Sequence, residues 1–146
     1  MDTINETFSR DHKQCDQLFA EAESAASAGD WPKAAELYEE FQSRITRHMD
    51  IEEQVLFPAI EERAGGPIGP TQVMRSEHEE MRDLLARMAQ SVTTRDTDDF
   101  LGLSDTLLIL MQQHNLKEEE VLYHMADQML GGEAAGVLAR MEELAE

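Results

Sequence analysis

Arg47-His48-Met49-Asp50-Ile51-Glu52-Glu53-Gln54-Val55-Leu56-Phe57 returns 66 positions later (114 − 48) as Gln113-His114-Asn115-Leu116-Lys117-Glu118-Glu119-Glu120-Val121-Leu122-Tyr123. The upstream histidines obey the same shift. His12 and His78 are 66 apart (78 − 12), and each precedes its partner by 36 (48 − 12 and 114 − 78). Glu52 and Glu118 each follow a histidine by four positions, and the cap candidates Asp30 and Asp96 are matched as well. Four of the chain's five histidines therefore belong to one repeat. A packed core needs no such register of imidazoles, whereas a metal site does.

The repeat sits on a helical frame. Ala, Leu, Glu, Met and Gln are abundant, and aromatic residues are few, which favours helix throughout. Breaks fall at Gly29-Asp30-Trp31-Pro32, at Gly65-Gly66-Pro67-Ile68-Gly69-Pro70, at the polar run Thr93–Asp98 and at Gly131-Gly132. They predict four long helices over 3–28, 32–63, 71–91 and 97–129, and a short fifth over 133–145. Phe8, Cys15, Leu18, Phe19 and Ala22 fall on one face of the first helix. Val73, Met74, Met81, Leu84, Leu85 and Met88 fall on one face of the third. Pro58 is expected to kink or end the second helix locally. Short connections between long helices imply antiparallel neighbours, hence an all-α, up-down-up-down four-helix bundle over about 5–130. The expectation is a single domain, 1–146.

Composition narrows the function. With 31 acidic residues against 12 basic, the formal charge is −19, which disfavours nucleic acid and anionic membranes as partners. Cys15 is the sole cysteine, so no intrachain disulfide can form, as in a reducing compartment. No signal peptide is visible, and Leu107–Met111 is far too short to span a bilayer. A cytoplasmic protein is expected.

On an α-helix, positions i and i+4 differ by about 40° of rotation and about 6 Å of rise, so His48 and Glu52, like His114 and Glu118, share a face. Two such helices, with one histidine from each remaining helix, converge as four nitrogens and two carboxylates in the bundle core. Burying these groups without a counter-charge is costly, and a pair of cations offsets the cost. Imidazole with carboxylate suits iron, manganese or zinc better than calcium or magnesium. The candidate metal ligands are His12, His48, Glu52, His78, His114 and Glu118.

At these residues the sequence resembles the hemerythrin-like (HHE) cation-binding domain family. The resemblance covers about residues 5–130 and rests on His12, His48-x-x-x-Glu52, His78 and His114-x-x-x-Glu118, followed by Val-Leu-Phe-Pro or Val-Leu-Tyr. It implies a four-helix bundle around two non-haem iron ions joined by an oxo or hydroxo bridge. Glu52 and Glu118 would bridge the irons, His12 and His48 would hold one, and His78 and His114 the other. The resemblance implies binding or sensing of dioxygen, nitric oxide or peroxide. The alternatives are a di-iron oxidoreductase, peroxidase-like or nitric-oxide-reducing, and an iron-handling or structural module. The oxygen carriers of the family have His-x-x-x-His on the third helix, whereas Met74 stands four residues before His78. Water, another side chain or open coordination could take that place, which argues against simple oxygen carriage.

Other residues flank this pattern. His124 matches Pro58 and lies about 80° off the ligand face, as an ordinary helix histidine would. Glu53 and Glu119 are rotated about 100° past the ligand glutamates and are expected to be solvated or to support the ligands. Asp11 and Glu77 are expected at the surface, with an imidazole hydrogen bond as the alternative. Tyr38 and Tyr123 are expected as half-buried bundle tyrosines, with a hydroxyl near the centre as the alternative. Cys15 is expected to be a buried, inert thiol, and the nine methionines core filler.

Overall fold

The computed structural model describes residues 2–145. Helix α1 (Ile4–Ser27) opens at Thr3, whose hydroxyl accepts from the Glu6 backbone N–H at 3.0 Å. Helix α2 (Trp31–Ile51) opens at Asp30, with Pro32 in its first turn, and α5 (Thr97–Lys117) opens at the matched cap Asp96. Helix α4 (Gly69–Thr94) lies between them in the chain, after Pro67 and a turn through Gly65 at φ +85°. The predicted second helix runs on past α2 through a π-helical turn, Glu52–Leu56, into α3 (Phe57–Ala64). The predicted fourth does the same from α5 through a second π turn, Glu118–Leu122, into α6 (Tyr123–Leu130). A 3₁₀ turn, Gly131–Glu133, leads to α7 (Ala134–Ala145).

The long helices close a ring in chain order. The α1–α2 and α4–α5 hairpins pack side by side, α2 on α4 and α1 on α5 and α6, with α3 against α6. This is the antiparallel up-down-up-down bundle, and α7 docks beside α2, the first π turn and α6. The Asp127 carboxylate of α6 accepts the backbone N–H groups of Ile4 and Asn5, which anchors the first turn of α1. No described helix is long and apolar enough to cross a membrane.

Two apolar clusters fill the bundle. One joins Cys15, Phe19, Trp31, Tyr38, Phe41, Met81, Leu85, Phe100 and Met111. The other joins Phe8, Ile51, Phe57, Met74, Leu122, Tyr123 and the α7 residues Val137 and Met141. Burying one large apolar side chain of this kind contributes about 1.5–3 kcal/mol. One predicted face residue is misplaced: Val73 is 44% exposed. Eight residues separate it from Met81, about 80° around the helix, whereas Met74 is only about 20° off and takes the inward position.

Candidate metal centre

Between the two apolar clusters lies one polar layer. His12, His48, Glu52, His78, His114 and Glu118 are all buried, at no more than 2% exposure. α1 and α4 each supply a histidine, and α2 and α5 supply one each together with the glutamate at the following π turn. All six predicted ligand candidates thus meet in the core.

Each imidazole is fixed from behind by a carboxylate. His48 Nδ1 lies 2.7 Å from Asp11 Oδ2, and His114 Nδ1 lies 2.9 Å from Glu77 Oε1. His78 Nδ1 lies 2.6 Å from Glu53 Oε2, and His12 Nδ1 lies 2.7 Å from Glu119 Oε2. Both pairs of contacts are related by the repeat. A carboxylate accepts, so each Nδ1 carries the donated proton, and each Nε2 is left to face the centre. Arg44 pairs with Asp11, Lys117 with Glu77, and Arg82 with Glu53.

The expectation of surface placement for Asp11 and Glu77 is therefore corrected. A residue just before a histidine points about 100° away from it. In a closed bundle that direction leads to the histidine of the next helix. Glu53 and Glu119 support imidazoles in the same way, across the boundary between the halves.

The inward faces form a cage of lone pairs. The rings of His12 and His48 are 4.6 Å apart between centroids, and those of His78 and His114 are 4.9 Å apart. Glu118 Oε1 stands 3.1 Å from His12 Nε2 and 3.2 Å from His114 Nε2. Glu52 Oε1 stands 3.1 Å from His78 Nε2 and 3.5 Å from His48 Nε2. Each glutamate thus faces one histidine of each pair. Glu52, His78, His114 and Glu118 offer atoms within 4.8 Å of one another, and so do His12, His48 and Glu118.

The chemistry of these donors fits a metal pair. Glu52 Oε1, His78 Nε2 and Glu118 Oε2 are buried with no hydrogen-bond partner. The first two are only 3.1 Å apart yet are not aligned to bond. Neighbouring ligands of one cation have that relation, because donors about 2.1 Å from an ion at right angles stand about 3 Å apart. The cage also draws positive charge. Burial alone would lower the His48 imidazole, but Glu52 and Asp11 hold it well above its usual range. His78, against the same burial, is raised to about 9 by Glu52 and Glu53.

Tyr123, expected as a half-buried bundle tyrosine with a hydroxyl near the centre as the alternative, takes the alternative. It is fully buried, and its hydroxyl lies 2.7 Å from Glu52 Oε2 and 2.8 Å from Glu118 Oε1. On an α-helix, five residues from Glu118 would put it about 140° off the ligand face. The π turn bonds i to i+5, as the Phe57 N–H does to Glu52 in the first half, and so brings residue 123 round to the centre. The matched residue, Phe57, stacks on His78 at 5.6 Å.

The remaining candidates stay outside. Met74 packs in the apolar cluster, and exposed His124 contacts Asn5. Tyr38 donates to the Leu85 carbonyl at 2.6 Å, in the other cluster. Burial, then the Asp11 charge, pushes the Cys15 thiol up to about 12, so it is inert at neutral pH. A cleft of about 470 Å³ between α1, α2 and α7 reaches Phe8, Asp11 and His48 from solvent.

A helical bundle with a buried His/Glu cage defines a metal-binding protein of the hemerythrin type. The model of the hemerythrin HHE cation-binding domain matches residues 3–126, and the chain belongs to that family. Neither the curated proteins nor the solved structures compared with the chain gave a match.

Proposed function

We propose that the chain is a non-haem di-iron protein that binds or senses a small molecule, dioxygen, nitric oxide or peroxide, at its metal pair. The observation that carries this reading is the cage: four Nε2 atoms and two carboxylates facing inward, each carboxylate set between histidines of both halves. In this reading His12 and His48 hold one ion, His78 and His114 the other, and Glu52 and Glu118 span both. Iron is the metal the family favours, and nitrogen with carboxylate donors suits it. When bound, the pair supplies reversible one-electron chemistry and a site for a small ligand.

The protein's part is to position and exclude. Asp11, Glu53, Glu77 and Glu119 fix the ring orientations and make each Nε2 more basic. Phe8, Phe57, Met74 and Leu122 keep water from one side of the layer, and Met81 and Met111 from the other. The cleft lined by Phe8, Asp11 and His48 brings solvent to the edge of the cage.

The test is to load the full chain with ferrous iron without air and mix it with nitric oxide. A stable adduct with a new visible absorption is expected. An unchanged spectrum would contradict the proposal. Sustained consumption of nitric oxide or peroxide with an electron donor would instead make the protein an oxidoreductase.

A further inference from the structure

The hydroxyl of Tyr123 has more neighbours than one proton can satisfy. Besides Glu52 Oε2 and Glu118 Oε1, it lies 3.1 Å from His12 Nε2 and 3.4 Å from His48 Nε2. The two histidines give their Nδ1 protons outward, to Glu119 and Asp11. In the neutral form that binds a metal, their Nε2 lone pairs converge, with two carboxylate oxygens, on an oxygen that can donate once. With the rings neutral, as metal-binding imidazoles are, a single phenolic proton cannot serve all four of these atoms. A shared cation meets them all, because its adjacent ligands stand about 3 Å apart. The four distances, 2.7, 2.8, 3.1 and 3.4 Å, bracket that spacing.

We propose that Tyr123 is a further protein ligand of the ion held by His12 and His48 with Glu52 and Glu118, binding it through the phenolate oxygen. The inference rests on the metal-pair reading above. The O–H bond breaks, the proton leaves to solvent, an oxygen–metal bond forms in its place, and no electron is transferred. Phe8, stacked on the Tyr123 ring at 5.0 Å, holds that ring in place. At the matched position Phe57 brings no oxygen. The two metal positions thus differ chemically. One has a phenolate, while the other, with His78, His114, Glu52 and Glu118, has none.

The experiment loads the chain with iron, oxidises it in air and records its absorption and resonance Raman spectra beside the iron content. A ferric phenolate gives a visible charge-transfer band, and excitation into it enhances tyrosine ring vibrations. We expect both in the native chain and in Tyr38→Phe, and neither in Tyr123→Phe with its two irons retained. The chain has only two tyrosines, so tyrosine modes in Tyr38→Phe identify Tyr123 even where Tyr123→Phe does not fold. Two bound irons without tyrosine modes in the native chain would overturn this assignment alone. The same modes persisting in Tyr123→Phe would also overturn it. A chain that takes up no iron would overturn the metal reading, and this inference with it.

Discussion

Glu119 differs from its three counterparts. Asp11, Glu77 and Glu53 each hold a histidine while paired with Arg44, Lys117 or Arg82, but the hydrogen-bond partner of Glu119 among the described residues is His12. Arg82 is matched in the first half by Asp16, an acid whose carboxyl is raised by burial and by the Glu119 charge. Removing Glu119 therefore breaks no arginine or lysine salt bridge among the described residues, and its effect falls mainly on the imidazole. Glu119→Ala is expected to weaken metal binding at the His12 position by about 10–100-fold, read by chelator competition. Glu119→Gln, which keeps an acceptor, should lose less; unchanged affinity in both would contradict the role. The histidines and glutamates of the cage were legible in the sequence because His-x-x-x-Glu needs only helical geometry. The imidazole contacts of Asp11 and Glu77 were legible only as the alternative to surface placement, because the histidine they reach stands on another helix, and only the packing of the bundle sets that direction.

The π turns show what helical periodicity hides. Both start at a cage glutamate and both are 66 residues apart, so they belong to the repeat. Pro58 does not cause them, since His124 fills its matched position beside the second turn. Proline is tolerated in the first turn of α3, where the i→i−4 ladder is already interrupted. The helix ends and both aspartate caps could be read from turn residues, whereas a π turn leaves no residue signature, and the central hydroxyl of Tyr123 stood only as the alternative reading for that reason. The connections carry the repeat too. Gly29 turns at φ +77°, and its matched residue, Arg95, turns at φ +54°. A non-glycine residue there is strained by about 1–2 kcal/mol, part of which glycine returns as extra unfolded-state entropy. Arg95→Gly is expected to stabilise the fold by about 0.5–1 kcal/mol in urea denaturation. A destabilised variant would show that the arginine side chain matters more than its backbone.

At the scale of the molecule, two similar hairpins face each other across a pseudo-two-fold axis, and what the repeat matches lines that axis. Four histidines, two glutamates and four supporting carboxylates obey the symmetry. Tyr123 against Phe57, Arg82 against Asp16 and Phe8 against Met74 break it, and these differences make the two halves of the centre unequal. The bundle and its polar layer were foreseeable because periodicity and spacing are local properties of the chain. The inequality was not, because it depends on which side chains the closed bundle turns inward. The central claim is that the cage holds two metal ions. Metal analysis of the chain, loaded with ferrous iron without air and desalted, tests it most directly. The account predicts two irons per chain, falling to one or none in His48→Ala and in His114→Ala; one or none in the unaltered chain would contradict it.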